Sequence, residues 1–130
     1  MNIQVRENQA QLLKVLSHPT RLAVLEILRE GEQCVCHMEA MLGVRQASLS
    51  QQLMVLRDAG LVRVRRDGLN VYYRVVEPRL FEILDAVNAA AGKPRLRVRH
   101  KHGPDECPCP KCNRGRPVSA ARARRIKVHA

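Results

Sequence analysis

Residues 45–75, RQASLSQQLMVLRDAGLVRVRRDGLNVYYRV, change periodicity halfway along, and that change decides the fold. In the first half, Leu49, Leu53 and Leu56 recur at i, i+4 and i+7, which is one face of a helix. Gln46, Ser50 and Arg57 fall on another face, so residues 45–59 read as an amphipathic helix ended by Gly60. From Val62 the period drops to two, with Val62-Arg63-Val64-Arg65 alternating apolar and basic side chains. Asp67-Gly68 is a hairpin signal, and residues 70–75 supply the return strand. A lone two-stranded hairpin is marginal in water, so this one must pack on the helices.

Upstream, residues 34–42 (CVCHMEAML) read as a short helix. It meets the long helix through Leu42-Gly43-Val44, and two helices joined by a glycine-containing turn have the helix-turn-helix layout. Residues 20–30 form another helix, with Leu22, Leu25, Ile27 and Leu28 at helical spacing and Gly31 as its stop. Ser17-His18-Pro19 separates it from a first helix over residues 6–16. Downstream, Pro78 opens a last helix carrying Leu80, Phe81, Ile83, Leu84 and Val87, closed by Gly92 and Pro94. The expected class is mainly α with a β-hairpin wing: a winged helix-turn-helix domain over residues 1–91. Residues 92–130 are rich in Pro, Gly and Arg without a period, and read as a largely disordered tail.

Charge follows the same division. The formal net charge is +11, yet residues 1–91 hold 11 Lys/Arg against 10 Asp/Glu, and residues 92–130 hold 12 against 2. The domain is near neutral and the tail strongly basic, which favours a polyanion; a merely solvated tail is the plain alternative. Phe81, Tyr72 and Tyr73 are the only aromatics, so the core must be aliphatic. No apolar run reaches the ~18 residues of a membrane span. The first ten residues are polar, and the expected location is cytoplasmic. Five cysteines, an odd number without a secretion signal, point to reduced thiols instead of a disulfide framework.

A recognition helix must present polar side chains to base edges in the major groove. Arg45, Gln46, Ser48, Ser50, Gln51 and Gln52 supply that face. Gln can pair bidentately with adenine and Arg with guanine. Arg63, Arg65 and Arg66 near the hairpin tip suit phosphate or minor-groove contact. Tyr72 and Tyr73 point to opposite strand faces, so one is expected inward and the other at solvent or DNA, and Tyr72 is the one assigned to DNA. One recognition helix reads few bases, which favours a dimer on a palindromic site, and the apolar stripe of the last helix offers a dimer surface.

Cys34 and Cys36 carry a different chemistry. A helix start is electropositive and favours the thiolate that soft ions need. Thiolates prefer Cd(II), Pb(II), Hg(II) or As(III), and also Zn(II). Positions i and i+2 of an ideal helix point about 200° apart, so joint capture of one ion requires the first turn of the short helix to unwind. Two thiolates do not complete a site. The remaining cysteines stand in the tail, in Cys107-Pro108-Cys109-Pro110-Lys111-Cys112 behind His100 and His102. That run reads as a second ligand set, joining Cys34 and Cys36 or binding an ion alone. His37 and Glu39 are the local alternatives.

The segments LSHPTRLAVLEIL, GEQCVCHMEAMLGV, RQASLSQQLMVLRDAGLV and RRDGLNVYYRV, in this order and spacing over about residues 10–91, resemble the ArsR/SmtB metal-sensing repressors. The resemblance implies a homodimer formed by the first and last helices, with recognition helix and wing on operator DNA. It also implies that a bound metal weakens DNA binding. Two features depart from the family's pattern. Ser50-Gln51-Gln52 stands where a Ser-His-His is frequent, and the last helix offers Asp85, Val87 and Asn88 but no histidine for a metal site there. The family's arsenic sensors often carry a third cysteine three residues after the Cys-x-Cys pair, where this chain has Glu39.

The expected function is therefore a repressor released from operator DNA by As(III), Sb(III), Cd(II), Pb(II) or Zn(II) at Cys34, Cys36 and the tail thiols. A thiol-based redox or reactive-sulfur sensor on the same fold is the first rival. A DNA-architectural protein binding through its tail is the second. An enzyme ranks behind both, since no nucleophile–base set, phosphate loop or carboxylate pair is present in the sequence.

Overall fold

The computed structural model describes residues 2–92. The order is α1 (Ile3–Leu16), α2 (Pro19–Leu28), β1 (Gln33–Cys34), α3 (Val35–Leu42), α4 (Gln46–Asp58), β2 (Val62–Asp67), β3 (Asn70–Val75) and α5 (Arg79–Ala90). The tail, with His100, His102, Cys107, Cys109 and Cys112, lies outside the described residues.

Each boundary has a local cause. Asn2 caps α1 by accepting from the Gln4 N–H at 3.0 Å. His18 does the same for α2, where Nδ1 accepts from the Thr20 N–H at 3.1 Å and Pro19 takes the first helical position. Gly43 ends α3 with φ 63°, a left-handed cap conformation that L-residues with a Cβ rarely adopt. In the hairpin Asp67 pairs with Asn70, so the two loop residues are Gly68 and Leu69. Gly68 has φ 59° and Leu69 does not have a positive φ, the sign pattern of a II′ turn.

The sheet has three strands in the order β1-β3-β2, all antiparallel, one more than the expected hairpin. β1 is only Gln33–Cys34, too short to leave a period in the sequence. The core forms where α2, α3 and α4 meet the sheet and α5. Leu49, Leu53 and Leu56 are all buried, as their spacing predicts, beside Val24, Leu25, Met38, Val62, Tyr73, Leu80 and Leu84. No helix is long and apolar enough to cross a membrane among the described residues.

A half-buried ionic cluster ties α2 to α5. Arg29 donates to Glu26 through Nε and Nη2, both at 3.0 Å, and pairs with Asp85 at 3.0 Å. Its guanidinium lies 5.1 Å from the Phe81 ring centroid, and Asn88 reaches Glu26 at 3.4 Å. Hydrogen bonds to Glu26 raise the Arg29 pKa further, so the cation is secure. Asp85 and Asn88 of the last helix are thus engaged in packing α5 onto α2.

Leu53→Ala should cost about 2–5 kcal/mol, read from chemical denaturation, because the side chain is wholly enclosed. A second expectation concerns pH. The Glu77 carboxylate accepts from the Arg79 backbone N–H at 3.1 Å and from its guanidinium, which lowers the Glu77 pKa to about 2. A depressed carboxyl pKa stabilises the fold above the unfolded value of 4.5, and that contribution fades as pH falls towards about 2. Glu77→Gln should therefore lower the melting temperature at neutral pH and match the parent in strong acid.

Candidate DNA interface and sensor site

The helix-turn-helix is α3, the Gly43 turn and α4. Arg45 is the N-cap of α4, and Gln46, Ser48, Ser50 and Gln51 are exposed along the first turns. Gln52 is half-buried and its Oε1 is enclosed, so it belongs to the edge of the core more than to the polar face. Arg63, Arg65 and Arg66 are exposed on β2 as expected. Sequence reasoning did not single out Arg74. It is exposed and is the cross-strand partner of Arg63, and its position two residues after Tyr72 was the available signal.

Tyr72 is corrected. Both tyrosines are buried, Tyr73 in the main core and Tyr72 in a small cluster with Cys34, against which Cys36 and Ala40 pack. A strand covered on both faces buries both side-chain sets. Here β1 and α3 cover the face that a simple hairpin would expose. Tyr72 is therefore not presented to DNA.

Cys34 and Cys36 straddle a junction. Cys34 is the last residue of β1 and the N-cap of α3, with φ −81° and ψ 154°, and its Sγ accepts from the His37 N–H at 3.2 Å. Cys36 lies in the first turn of α3. Extended backbone at one residue and helical backbone at the other let the two side chains converge. The sulfurs are joined as a disulfide across a Cα–Cα distance of 5.4 Å. Two expectations are thereby corrected. Cys34 stands before the helix, which runs from Val35, instead of within it, and the two sulfurs are joined instead of standing as separate thiols. Cys34 is 1% exposed and Cys36 half-buried, which makes Cys36 the sulfur open to solutes.

His37 is buried beside the pair and Glu39 half-buried. Among the described residues no group of three His, Cys, Asp or Glu side chains is placed to hold a metal ion. A complete thiolate site needs donors from outside residues 2–92, and the tail cysteines are the ones the sequence supplies.

Residues 18–64 match the family described as "Bacterial regulatory protein, arsR family". A biofilm growth-associated repressor of Agrobacterium fabrum is 45% identical over 80 residues, covering 62% of this chain and 68% of that protein. The crystal structure of NolR from Sinorhizobium fredii superposes with a TM-score of 0.64 at 32% identity, over 70% of this chain and 91% of that one. The homodimeric winged helix-turn-helix DNA-binding domain Mb0332 of Mycobacterium bovis gives 0.61 at 27% identity, over 77% and 90%.

The geometry separates two kinds of candidate DNA-contact residue, those on α4 and those on the wing. Gln51→Ala should cost about 1–3 kcal/mol on the chain's own upstream DNA and relax base preference at one position. Arg63→Ala should weaken binding to all sequences alike and reduce the salt slope by about one. Competition binding at several salt concentrations distinguishes them.

Proposed function

We propose a sensing role for Cys34 and Cys36 on a plain premise: the chain belongs to the ArsR family of bacterial regulatory proteins, and is a DNA-binding transcriptional repressor, not an enzyme. It binds operator DNA as a homodimer, α4 in the major groove and the β2–β3 wing on the backbone. Support for the dimer comes from apolar side chains left exposed on the outer helices, Ile3, Val5 and Leu13 on α1 and Val87 on α5, and from the homodimeric Mycobacterium bovis neighbour. Two α4 helices one helical turn apart, about 34 Å, then read a palindrome.

The observation that carries the sensing role is the joining of the two sulfurs at the β1–α3 junction. The dithiol form binds operator and the disulfide form lets go. With a hydroperoxide as oxidant, the Cys36 thiolate attacks the peroxide oxygen, giving a sulfenic acid and releasing hydroxide or alkoxide. The Cys34 sulfur then displaces that oxygen as water and the S–S bond forms. Two thiol protons and two electrons leave in total, matching the two-electron reduction of the peroxide. A polysulfide, as another two-electron oxidant, reaches the same disulfide.

A second reading rests on the tail sequence. The run Cys107, Cys109 and Cys112 would complete with Cys34 and Cys36 a thiolate site for As(III), Sb(III), Cd(II), Pb(II) or Zn(II), bound to the reduced protein.

Cys34→Ser and Cys36→Ser should each keep operator affinity and lose the response to the inducer. Allosteric couplings of ordinary size predict a change of about 5- to 150-fold in the parent. Peroxide that weakens binding in the parent but not in the serine variants, with loss of two protons by mass, supports the redox reading. Release by Cd(II) or As(III) under full reductant, abolished by replacing Cys107, Cys109 and Cys112 together, supports the ion. Release that persists in Cys34→Ser shows the sensor is elsewhere.

A further inference from the structure

The sheet register places three side chains in one row. Cys34 on β1 is the partner of Tyr72 on β3, and Tyr72 is the partner of Arg65 on β2. Directly paired residues of antiparallel strands put their side chains on the same face, near enough to touch. They do touch: Cys34 and Tyr72 are buried together, and the Arg65 guanidinium lies 4.5 Å from the Tyr72 ring centroid. The cysteine, a tyrosine ring and a wing arginine are thus contiguous.

Arg65 is also held from the other end. Glu32 stands two residues before Cys34, at the entry to β1. It accepts from Arg65 Nε at 3.1 Å and from Nη2 at 2.6 Å. A guanidinium recognises a carboxylate and a phosphate with the same planar fork, so Glu32 and a DNA phosphate compete for one set of donors. Arg65 also pairs with Asp67 on its own strand at 3.8 Å, but its other two partners flank the sensor: Glu32 precedes β1 in the chain, and Tyr72 lies against Cys34 itself. Glu32 immediately precedes β1, so a shift of Cys34 on breaking the disulfide would reach Tyr72 through side-chain contact and Glu32 through the chain.

We infer that Arg65 is a positioning residue that couples the Cys34–Cys36 pair to the wing, held by Glu32 and Tyr72 in the disulfide form and passed to a DNA phosphate in the dithiol form. The redox dependence rests on the sensing role proposed above. The competition between Glu32 and phosphate stands without it.

The test is a double-mutant cycle on operator affinity with the full chain, at several salt concentrations, under reductant and after oxidation. Glu32 and Arg65 are both partly solvent-exposed, and melting curves of each variant confirm that the fold is retained. Glu32→Gln should tighten binding by roughly three- to tenfold, most in the oxidised protein, and steepen the salt slope by about one, as one more phosphate is neutralised. The same substitution in an Arg65→Ala background should give no gain, whereas mere removal of a negative charge would help both backgrounds equally. Equal gains in the two backgrounds overturn the latch. An unchanged salt slope in Glu32→Gln overturns it as well. If the parent binds equally in both redox states while the cycle still shows coupling, the sensing role fails and the Glu32–phosphate competition survives. If the parent responds to oxidation and Glu32→Gln responds by the same factor, the coupling to the cysteines fails and the sensing role survives.

Discussion

Two residues of backbone pairing, Gln33 with Tyr73 and Cys34 with Tyr72, hold the two halves of the domain in register. Without them, β2 and β3 would form an isolated hairpin packed on helices by side chains alone, and such ribbons are marginal and twist freely. With them, the strand entering α3 belongs to the same sheet as the wing. Since α3 supports α4 through the Gly43 turn, the recognition helix and the wing are referred to one frame. Orientation of α4 relative to the wing then depends on a contact in which Gln33, Cys34, Tyr72 and Tyr73 are all buried.

The far side of the domain is organised differently. There the Arg29 cluster couples α2 to α5 through Glu26, Asp85 and a cation–π contact with Phe81. These groups are partly shielded and paired with one another. On the last helix, Asp85 and Asn88 are committed to this internal network. Asymmetry follows: α5 is anchored by ionic contacts to α2, while α3 and the wing meet over a sulfur-containing contact whose covalent state can change.

Much of this was legible in the chain. The 3.6-residue spacing of Leu49, Leu53 and Leu56 and the two-residue spacing of Val62 to Arg65 fixed the helix and the hairpin, because burial on one face leaves a period. β1 was not legible, since two residues cannot display a period and their pairing is defined only by distant β3. From that single omission came the others. Treating Cys34 as helical made the i, i+2 spacing look divergent, and treating the sheet as two-stranded left one tyrosine to face outward. Glu32 was invisible for a related reason: its partner is 33 residues away and is set by the sheet register. The turn offers a smaller case. Asp67-Gly68 correctly marked a hairpin, but the tight pair is Gly68-Leu69, because pairing of Asp67 with Asn70 fixes the loop.

The position of the sulfur pair also limits what it can control. Cys34 lies one strand from the wing and at the start of α3, while Gln46, Ser48, Ser50 and Gln51 stand on the next helix, beyond the Gly43 turn. The side-chain row from Cys34 ends on Arg65, whose place on the wing suits phosphate contact. Contacts to phosphate set how tightly a duplex is held, whereas base-edge contacts set which duplex is chosen. A sensor wired to the wing, as proposed above, would act on affinity and its salt dependence. The polar face of α4, beyond the Gly43 turn, is no part of that row. That division suits a repressor, which must leave its site on a signal and return to the same site when the signal ends.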